Sequence, residues 1–312
     1  MQKIRIGTSD MVVSPLGIGT MSWGESKLWG YGDNLGAEAT REVFNACVVG
    51  GATFFDTAEI YGSGRSERNL GQLLKETKAP VYVATKFAPV PWRFTASSLP
   101  RALDKSLARL GLKSVDLYQI HFPIGVIPFE KQWNALADVA LQGKTRYVGV
   151  SNYSADQMRR AYEVLAKRGV KLVSNQVEYS LVHRDPETNG VLSACRELDV
   201  TLIAYSPLGR GVLSGKYKPG QGPSDMRRSY GQFKDDQLAK LMPLLNTLQE
   251  IGAAHGNQTP AQVALNWLLR QPNVLAIPGT KNLRHVQTSL AALSWEMSEE
   301  EAARIDQAVR VG

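Results

Sequence analysis

Short runs rich in Val, Ile, Leu, Tyr and Phe recur along the chain, separated by longer segments whose apolar residues repeat with helical spacing. Runs of this composition predict β-strands. Eight runs are candidates: LGIGT from residue 16, TFFD from 53, VYVATKF from 81, VDLYQIH from 115, RYVGVS from 146, KLVSNQVEY from 171, TLIAYS from 201 and VLAIP from 274.

The segments between these runs predict amphipathic helices, among them SLPRALDKSLARLGL, EKQWNALADVALQGK, SADQMRRAYEVLAKRG and AQVALNWLLRQ. Their starts carry recognisable capping residues. We expect Ser154 to cap the third, and Thr259 to cap the fourth with Pro260 in its first turn. Ser298 and Glu301 have the spacing of a capping box on a last helix.

Strands that alternate with helices pair in parallel, because each helix has to pack back onto the sheet. Eight such units predict a closed (β/α)8 TIM barrel, an α/β fold. An open doubly wound sheet is the alternative, but it commonly carries G-x-G-x-x-G after an early strand. GIGTMS, GSGRSE and GRGVLS all lack the last glycine.

Two features complete the expected architecture. The stretch KIRIGTSDMVVSPLGIGT predicts an N-terminal β-hairpin ahead of the barrel, with residues 7–10 as its turn. No internal repeat, low-complexity tract or linker divides the chain. We therefore expect residues 1–312 to form a single domain.

The composition is that of a globular protein, with 43% hydrophobic and 21% charged residues among 312. This balance argues against intrinsic disorder. No secretory signal or membrane-length apolar run is visible, so we expect no membrane association. The expected location is the cytoplasm, or an organelle interior after removal of a transit peptide. Cys47 and Cys195 lack C-x-x-C neighbours, so we expect buried thiols and no metal site.

The formal net charge is +7, which favours an anionic ligand of some kind. Lys and Arg are scattered, with short pairs such as Arg159-Arg160 and Arg227-Arg228. No helix-turn-helix, RNP or zinc-finger pattern accompanies them, so we expect no nucleic-acid partner. A small-molecule ligand is the better interpretation, bound by a monomer or a weak homo-oligomer.

Polar residues end most of the predicted strands. In (β/α)8 barrels the active site lies at the C-terminal ends of the strands. Each such residue alone has a structural explanation, such as Asp56 ending a strand and capping a turn. So many at one barrel mouth indicate a functional site: Asp56, Lys86, His121, Ser151, Asn152, Gln176, Tyr205 and Ser206, with Tyr61 in the loop after the second strand.

At this point the motifs resemble those of a known family. FFDTAEIYGSGRSERNLGQLLKE, VATKF, DLYQIHFP, GVSNYS, NQVEYS, AYSPLGRGVLSGKY and IPGTKN are similar, in this order, to the motifs of the aldo-keto reductases. The resemblance covers nearly the whole chain. It implies reduction of an aldehyde or ketone with a nicotinamide cofactor that lies extended across the barrel mouth, without a Rossmann fold.

The resemblance assigns catalytic roles to Asp56, Tyr61, Lys86 and His121. Hydride delivered to a carbonyl carbon leaves charge on oxygen, so a proton donor is needed within hydrogen-bond reach. Tyr61 would be that donor. A free tyrosine has a pKa of about 10, and Lys86 would stabilise its phenolate while Asp56 holds Lys86. His121 would orient the carbonyl oxygen.

The resemblance also implies the cofactor contacts. Ser151, Asn152 and Gln176 would bind the nicotinamide carboxamide, and Tyr205 would stack on the ring. SPLGRGVLSGK, residues 206–216, would lie along the pyrophosphate, with contacts from Ser206, Pro207, Leu208, Gly209, Gly211 and Lys216. A mobile surface excursion is the alternative interpretation of this stretch.

The adenine end departs from the family pattern. Gly279, Thr280 and Lys281 precede a predicted helix N-terminus, where backbone N–H groups favour phosphate, and Lys281 would meet a ribose 2′-phosphate. Many relatives then have an arginine followed by Glu-Asn, whereas this chain has HVQTS from His285. We expect NADPH/NADP+ as the cofactor, with NADH as the alternative. The missing arginine should weaken the preference for NADPH over NADH. Arg284 either replaces the missing arginine or faces solvent.

Aromatic residues in the loops after strands one, three and four predict an apolar rim, formed by Trp23, Trp29, Phe87, Trp92 and Phe122. Such a rim favours apolar or aromatic aldehydes. The alternative is that these rings pack loop against loop. Two other functions use the same residues: a slow-turnover NADP-binding regulatory subunit resembling potassium-channel β-subunits, and a dehydrogenase that oxidises a sugar or pyridoxine-like alcohol.

Overall fold

The computed structural model describes residues 3–25, 32 and 36–311. A short antiparallel hairpin joins β1 (Ile4–Arg5) to β2 (Val12–Val13). The backbone N–H of Ile6 donates to Met11 O across its turn, at 3.0 Å. The expected N-terminal hairpin is therefore present, and its turn lies at residues 7–10 as predicted.

Eight parallel strands form one sheet in chain order: β3 (Ile18–Gly19), β4 (Phe54–Asp56), β5 (Tyr82–Phe87), β6 (Val115–Ile120), β7 (Thr145–Ser151), β8 (Leu172–Glu178), β9 (Thr201–Tyr205) and β10 (Val274–Ile277). Isolated parallel bridges, Leu16 to Ala276 and Gly19 to Gly279, join the region of the first strand to that of the last. The sheet thus closes on itself, and the predicted (β/α)8 TIM barrel is confirmed.

Helices cover the outside of this barrel. Their bounds are α1 (Ala37–Val49), α2 (Arg65–Glu76), α3 (Ser98–Leu110), α4 (Phe129–Leu141), α5 (Ala155–Lys167), α6 (Asp185–Thr188), α7 (Val191–Glu197), α8 (Asp235–Ala254), α9 (Pro260–Leu269), α10 (Leu283–Ala291) and α11 (Glu299–Val311). Short 3₁₀ turns occupy Met21–Trp23, Gly209–Ser214, Met226–Ser229 and Gly231–Phe233. None of these helices is long and apolar enough to cross a membrane.

The predicted helix caps are also confirmed. Ser154 and Gln157 form a capping box at the start of α5, and Thr259 forms one with Gln262 at the start of α9. Ser298 and Glu301 exchange two further bonds, Ser298 N to Glu301 Oε2 at 2.8 Å and Glu301 N to Ser298 Oγ at 3.2 Å. These bonds satisfy backbone donors that a helix start leaves without partners.

Apolar side chains fill the barrel interior and the shell between strands and helices. The interior cluster contains Phe54, Ala84, Leu117, Val173, Ile203 and Leu275 from alternate strand positions, together with Ile6, Met11 and Val13 from the hairpin. The hairpin contacts Thr201, the first residue of β9, through Gly7 N. It therefore closes the N-terminal end of the barrel, and the polar strand ends collect at the opposite end.

A polar layer lies above the interior cluster. Lys86, Gln119, Gly149 and Ser174 occupy paired positions on neighbouring strands β5 to β8. A Cβ at Gly149 would overlap Ser174 Oγ and lie 3.0 Å from Gln119 Cγ. The glycine thus makes room for two polar side chains inside the barrel.

Candidate active site

A buried ion pair lies at the mouth of the barrel. Nζ of Lys86, on β5, lies 2.5 Å from Oδ2 of Asp56, the last residue of β4. Both side chains are nearly inaccessible, with 0% and 2% exposed. Lys86 also donates to the backbone carbonyl of Thr57 at 2.9 Å. The pair is therefore fixed on rigid strands, and its ammonium has well-defined partners.

The second oxygen of Asp56 accepts from two amides. Nε2 of Gln176, on β8, donates to Oδ1 over 2.8 Å, and Nε2 of Gln119, on β6, donates over 3.2 Å. A carboxylate removed from water needs such donors, because an unpaired buried charge is very costly. Asp56 is thus held from three directions, by side chains of β5, β6 and β8.

Tyr61 lies above this pair, at the entrance to α2. Its hydroxyl oxygen is 3.4 Å from Nζ of Lys86, and the ammonium lies 5.0 Å from the ring centroid. A Cβ at Gly62 would overlap the carbonyl of Gly24, so glycine lets the chain turn closely beside Tyr61. Local sequence thereby sets the phenol at the mouth, where it is partly exposed.

Opposing influences act on the pKa values of Tyr61 and Lys86. Burial raises the pKa of the Tyr61 phenol above its usual value, while the Lys86 ammonium lowers it and the Asp56 carboxylate raises it. The pKa of Lys86 is raised: burial disfavours its charge, but Asp56 and Tyr61 together outweigh burial. Lys86 therefore stays a cation beside the phenol, and it opposes part of the rise that burial imposes on Tyr61.

His121 follows β6 and faces Tyr61. The two rings meet edge to face, with centroids 5.8 Å apart. Burial, with help from the Lys86 charge, lowers the pKa of His121 to about 2. Its Nδ1 is buried and has no partner among the described residues. The imidazole is therefore neutral at physiological pH and has one ring nitrogen unsatisfied.

The residues expected at the carboxamide form a connected group. Ser151 Oγ donates to Gln176 O at 2.8 Å, and Asn152 Nδ2 donates to His121 O at 3.0 Å and to Ser151 Oγ at 3.1 Å. The Tyr205 hydroxyl donates to Asn152 Oδ1 at 3.0 Å. The structure thus brings all four expected residues together beside His121, with Asn152 in the left-handed conformation, φ 62°.

The stretch after β9 forms a compact 3₁₀ turn. Within Gly209–Ser214, Arg210 (φ 54°) and Gly211 (φ 104°) break the 3₁₀ geometry. Arg210 pairs with Glu178 at 2.9 Å, and Gln232 Nε2 donates to Gly209 O at 2.6 Å. Ser206, Pro207, Leu208, Gly209 and Gly211 therefore lie on a backbone that its neighbours hold in place.

Basic side chains gather beyond this turn. Arg227 donates to Arg210 O at 3.1 Å, and its guanidinium lies 5.7 Å from the Tyr217 ring centroid, while Nζ of Lys216 lies 5.6 Å from the same centroid. Burial first, and then the Arg227 charge, lowers the pKa of Lys281. The Lys216 charge also lowers the pKa of Lys281, whereas the Asp225 carboxylate, which pairs with Arg227 at 2.7 Å, raises it. Three cations thus lie near one carboxylate, which leaves net positive charge for an anion.

The residues around Lys281 belong to the start of α10. Asn282 caps this helix by accepting from His285 N at 3.0 Å, and Lys281 N lies 3.5 Å from His285 Nδ1. Gly279 is exposed, Thr280 is buried, and His285 and Arg284 are exposed. His285 is exposed as a whole residue, but the protein atoms packed around its ring lower its pKa, and the Lys281 charge lowers it further.

The expected aromatic rim is only partly present among the described residues. Trp23 and Phe87 have no exposed surface: Trp23 packs on Phe44 and Phe55, and Phe87 lies under the guanidinium of Arg93. The prediction that both line the pocket is therefore wrong, because a ring without exposed surface offers no face to a ligand.

Two other aromatic residues remain available at the mouth. Trp92 is 72% exposed, and Phe122 is partly exposed and stacks on His121 with centroids 4.3 Å apart. Trp29 lies outside the described residues.

Three polar contributions were missed in the sequence. Gln119 shares Asp56 with Gln176, Arg227 joins the basic side chains, and Glu59 pairs with Arg93 at 2.5 Å beside Phe87. A signal for Gln119 exists, because strand side chains alternate and Gln119 lies two residues before His121. No local pattern indicates Arg227, which arrives from a distant loop.

The donor set fits a nicotinamide nucleotide. Gln176 Oε1 accepts no hydrogen bond from the described residues and is therefore available to an amide N–H. The turn at Gly209 and Gly211 offers backbone, and Lys216, Arg227 and Lys281 offer positive charge for phosphates. Ser151, Asn152 and Gln176 would hold the carboxamide, and Tyr205 lies beside them.

Comparison with known proteins identifies the family of this chain. The model of the Aldo/keto reductase family matches residues 15–310. A chloroplastic pyridoxal reductase of Arabidopsis thaliana is 38% identical over 322 residues, covering 99% of this chain and 86% of the relative. An aldo-keto reductase of Schizosaccharomyces pombe, named yakc [NADP(+)], is 37% identical over 287 residues, covering 87% and 82%. The structure of a glycerol dehydrogenase from Gluconobacter oxydans superposes with a TM-score of 0.88 at 26% identity, covering 99% and 95%.

Proposed function

The chain belongs to the aldo/keto reductase family and is an NAD(P)H-dependent oxidoreductase, and we propose that it reduces an aldehyde or ketone to the alcohol with NADPH. In this proposal Tyr61 is the proton donor. The observation that carries it is the chain of contacts from Tyr61 to Lys86 to Asp56, with distances of 3.4 Å and 2.5 Å, at the mouth of the barrel.

Tyr61, Lys86 and Asp56 each have a separate role in the reaction. The site would hold NADPH, which when bound would supply a hydride for the carbonyl carbon. Tyr61 donates its proton to the carbonyl oxygen, and the Lys86 ammonium stabilises the phenolate that remains. Asp56 keeps Lys86 charged and fixed in place by accepting from it at 2.5 Å. A positioned acid of this kind contributes a factor of about 10² to 10⁴ in rate.

His121 orients the carbonyl and does not supply the proton. With a pKa of about 2, its imidazole is neutral where the enzyme works, so it has no acidic imidazolium to use. A neutral imidazole still has one N–H donor. The ring faces Tyr61 edge to face. His121 and Tyr61 would therefore approach the same carbonyl oxygen, and only Tyr61 would release a proton to it.

NADPH is the expected cofactor, although NADH remains the alternative. Lys281, Lys216 and Arg227 place positive charge beyond the turn that follows β9, where a 2′-phosphate would gain charge-assisted bonds. A relative at 37% identity carries NADP(+) in its name, which supports this choice. The family arginine is missing after Lys281, so the preference over NADH should be moderate.

The substrate proposal is an apolar or aromatic aldehyde, and pyridoxal is the first to test. Phe122 stacks on His121 and is partly exposed, so an aromatic face borders the expected carbonyl position. The similarity to a pyridoxal reductase over 99% of this chain supports the choice of an aromatic aldehyde. The similarity to a glycerol dehydrogenase favours one rival, oxidation of an alcohol by the same residues.

Steady-state oxidation of NADPH with pyridoxal and with benzaldehyde tests the proposal. We expect repeated turnover with at least one of them. Tight binding of NADPH without turnover would support a nucleotide-binding regulatory subunit instead. Reduction of NADP+ by glycerol or pyridoxine, with no reduction of either aldehyde, would support a dehydrogenase. Each outcome thus selects one of the three functions.

A further inference from the structure

Lys86 is not the only partner of Asp56 among the described residues. Its Oδ1 accepts from Nε2 of Gln176 at 2.8 Å and from Nε2 of Gln119 at 3.2 Å, while its Oδ2 accepts from Lys86. All four side chains are buried, with at most 2% of each residue exposed. An ionised carboxylate can only accept. Its charge therefore decides that the amide nitrogen of Gln176, and not the oxygen, points at Asp56.

A glutamine amide has a donor end and an acceptor end. With Nε2 of Gln176 committed to Asp56, Oε1 is the end left for the barrel mouth. That oxygen accepts nothing from the described residues. The backbone carbonyl of the same residue accepts Ser151 Oγ and Asn152 N, each at 2.8 Å. Gln176 is thus fixed on both sides, with one acceptor open.

We propose that Asp56 is a positioning residue for the cofactor as well as the partner of Lys86. By holding Nε2 of Gln176, it presents Oε1 as the acceptor for the N–H of the nicotinamide carboxamide. The inference rests on the proposed function, which brings a nicotinamide to this mouth. Gln119 supports the arrangement by sharing Oδ1 from inside the barrel, without reaching the cofactor.

The variant Asp56→Asn should reverse the orientation of the Gln176 side-chain amide. Its side chain keeps one oxygen, and the Lys86 ammonium, which can only donate, takes it. The new amide nitrogen then faces Gln176, whose Oε1 turns to accept from it. Gln176 consequently presents N–H to the mouth. There it meets the N–H of the carboxamide, so a hydrogen bond is replaced by an unsatisfied donor pair.

The test measures binding and not turnover. Tryptophan fluorescence gives the Kd of NADPH and of its analogue in which an acetyl group replaces the carboxamide, so that no N–H is present. Asp56→Asn should weaken NADPH relative to the analogue by about tenfold. An equal change in both Kd values indicates the effect of the lost charge at position 56. A change in the ratio of the two Kd values indicates that the Gln176 amide has reversed its orientation.

Asp56→Asn combined with each of three further substitutions isolates the cause. In Lys86→Met/Asp56→Asn no ammonium binds the remaining side-chain oxygen at position 56, so this oxygen can still accept from Gln176. The ratio of the two Kd values should therefore stay within about twofold of the parent value. Ser151→Ala weakens carboxamide binding without touching Asp56, so adding Asp56→Asn to it should still change the ratio by about tenfold. In Gln176→Leu, by contrast, adding Asp56→Asn should leave the ratio unchanged.

A second measurement uses the parent protein, in case Asp56→Asn does not fold. Nitrogen-labelled glutamine gives a side-chain amide signal for Gln176, identified by its loss in Gln176→Leu. The Nε2 hydrogen that Gln176 donates to Asp56 should exchange slowly with solvent, because it lies on a buried carboxylate, and its exchange should stay slow when NADP+ binds. Fast exchange would overturn the inference. So would a ratio of the two Kd values that is the same in the parent and in Asp56→Asn. A parent that binds neither nucleotide would instead overturn the proposed function.

Discussion

The hydroxyl of Tyr61 lies 3.4 Å from Nζ of Lys86, which is itself in contact with Asp56. A partly exposed phenol and a buried carboxylate are thereby joined through one ammonium. Burial alone makes Tyr61 a weaker acid, and the positive charge beside it works against that effect. In this account Lys86 is the group that lets Tyr61 exchange a proton near neutral pH.

Replacing Lys86 by methionine should remove this assistance and leave Asp56 as an uncompensated buried charge. We expect the rate of the reduction step to fall by about 10² to 10⁴, and the free energy of unfolding to fall by about 3 to 5 kcal/mol. Stopped-flow measurement of NADPH oxidation in a single turnover gives the first quantity, and urea unfolding gives the second.

The double variant Lys86→Met/Asp56→Asn separates these two effects. It removes both charges, so most of the lost stability should return while the rate stays low. Ser151→Ala, which leaves the ion pair intact, should slow the same step less than Lys86→Met does. A larger loss in Ser151→Ala would mean that Lys86 has no role in stabilising the phenolate.

The pKa of His121 predicts acid sensitivity. Its value is about 2 in the folded protein and 6.5 in the unfolded chain, so the folded state resists protonation. This contribution to stability is present above pH 6.5 and is lost as pH falls toward 2. When the pH falls from about 7 to about 5, His121 should lower the free energy of unfolding of the parent by about 2 kcal/mol.

In the variant His121→Asn the side chain at position 121 no longer titrates, while the other three histidines are unchanged. The free energy of unfolding of this variant should therefore fall by about 2 kcal/mol less than that of the parent over the same pH interval. Urea unfolding of both proteins at the two pH values measures the difference. Parallel losses in parent and variant would show that His121 is not the group responsible for acid sensitivity.

The cofactor preference should depend on Lys281. A 2′-phosphate there would gain a charge-assisted bond worth about 1.5 to 3 kcal/mol, or about ten- to a hundredfold in affinity. Lys281→Ala should weaken NADPH binding by a factor in this range and leave NADH almost unchanged. It should also make NADPH binding less sensitive to salt.

Arg228→Ala is the matched control, because Arg228 is an exposed cation on the neighbouring 3₁₀ turn. It should leave both affinities within about twofold of the parent. Fluorescence titration of the three proteins with NADPH and NADH provides the comparison. If Lys281→Ala weakens both nucleotides equally, Lys281 does not contact the 2′-phosphate.

Much of the architecture could be predicted from the sequence, because strand runs and helix periodicity are local signals. Residues at the C-terminal end of a strand in a parallel barrel lie at the mouth. Asp56 ends β4, Lys86 is the last but one residue of β5 and His121 directly follows β6, so these three could be placed together. The same alternation explains one missed residue and one misplaced one. Gln119 shares the inward side with His121, whereas Phe87, directly after Lys86, points outward into the helical shell.

Other features depend on contacts that no local pattern contains. Trp23 donates its indole N–H to Thr280 O at 2.8 Å, across 257 residues of sequence, and this bond fixes the ring inside the protein. Arg227 reaches Arg210 O from a separate loop. Such side chains are positioned by the closed barrel as a whole, so their burial and partners could not be predicted from the segments that carry them.

The most direct test of the central claim is the single-turnover reduction of an aldehyde by Tyr61→Phe, with NADPH bound in advance and its oxidation followed by absorbance. The variant removes only the phenolic hydroxyl that lies 3.4 Å from Lys86. We expect the rate to fall by about 10² to 10⁴ relative to the parent, while the Kd for NADPH stays within about twofold. Equal single-turnover rates in Tyr61→Phe and the parent would contradict the assignment of Tyr61 as the proton donor.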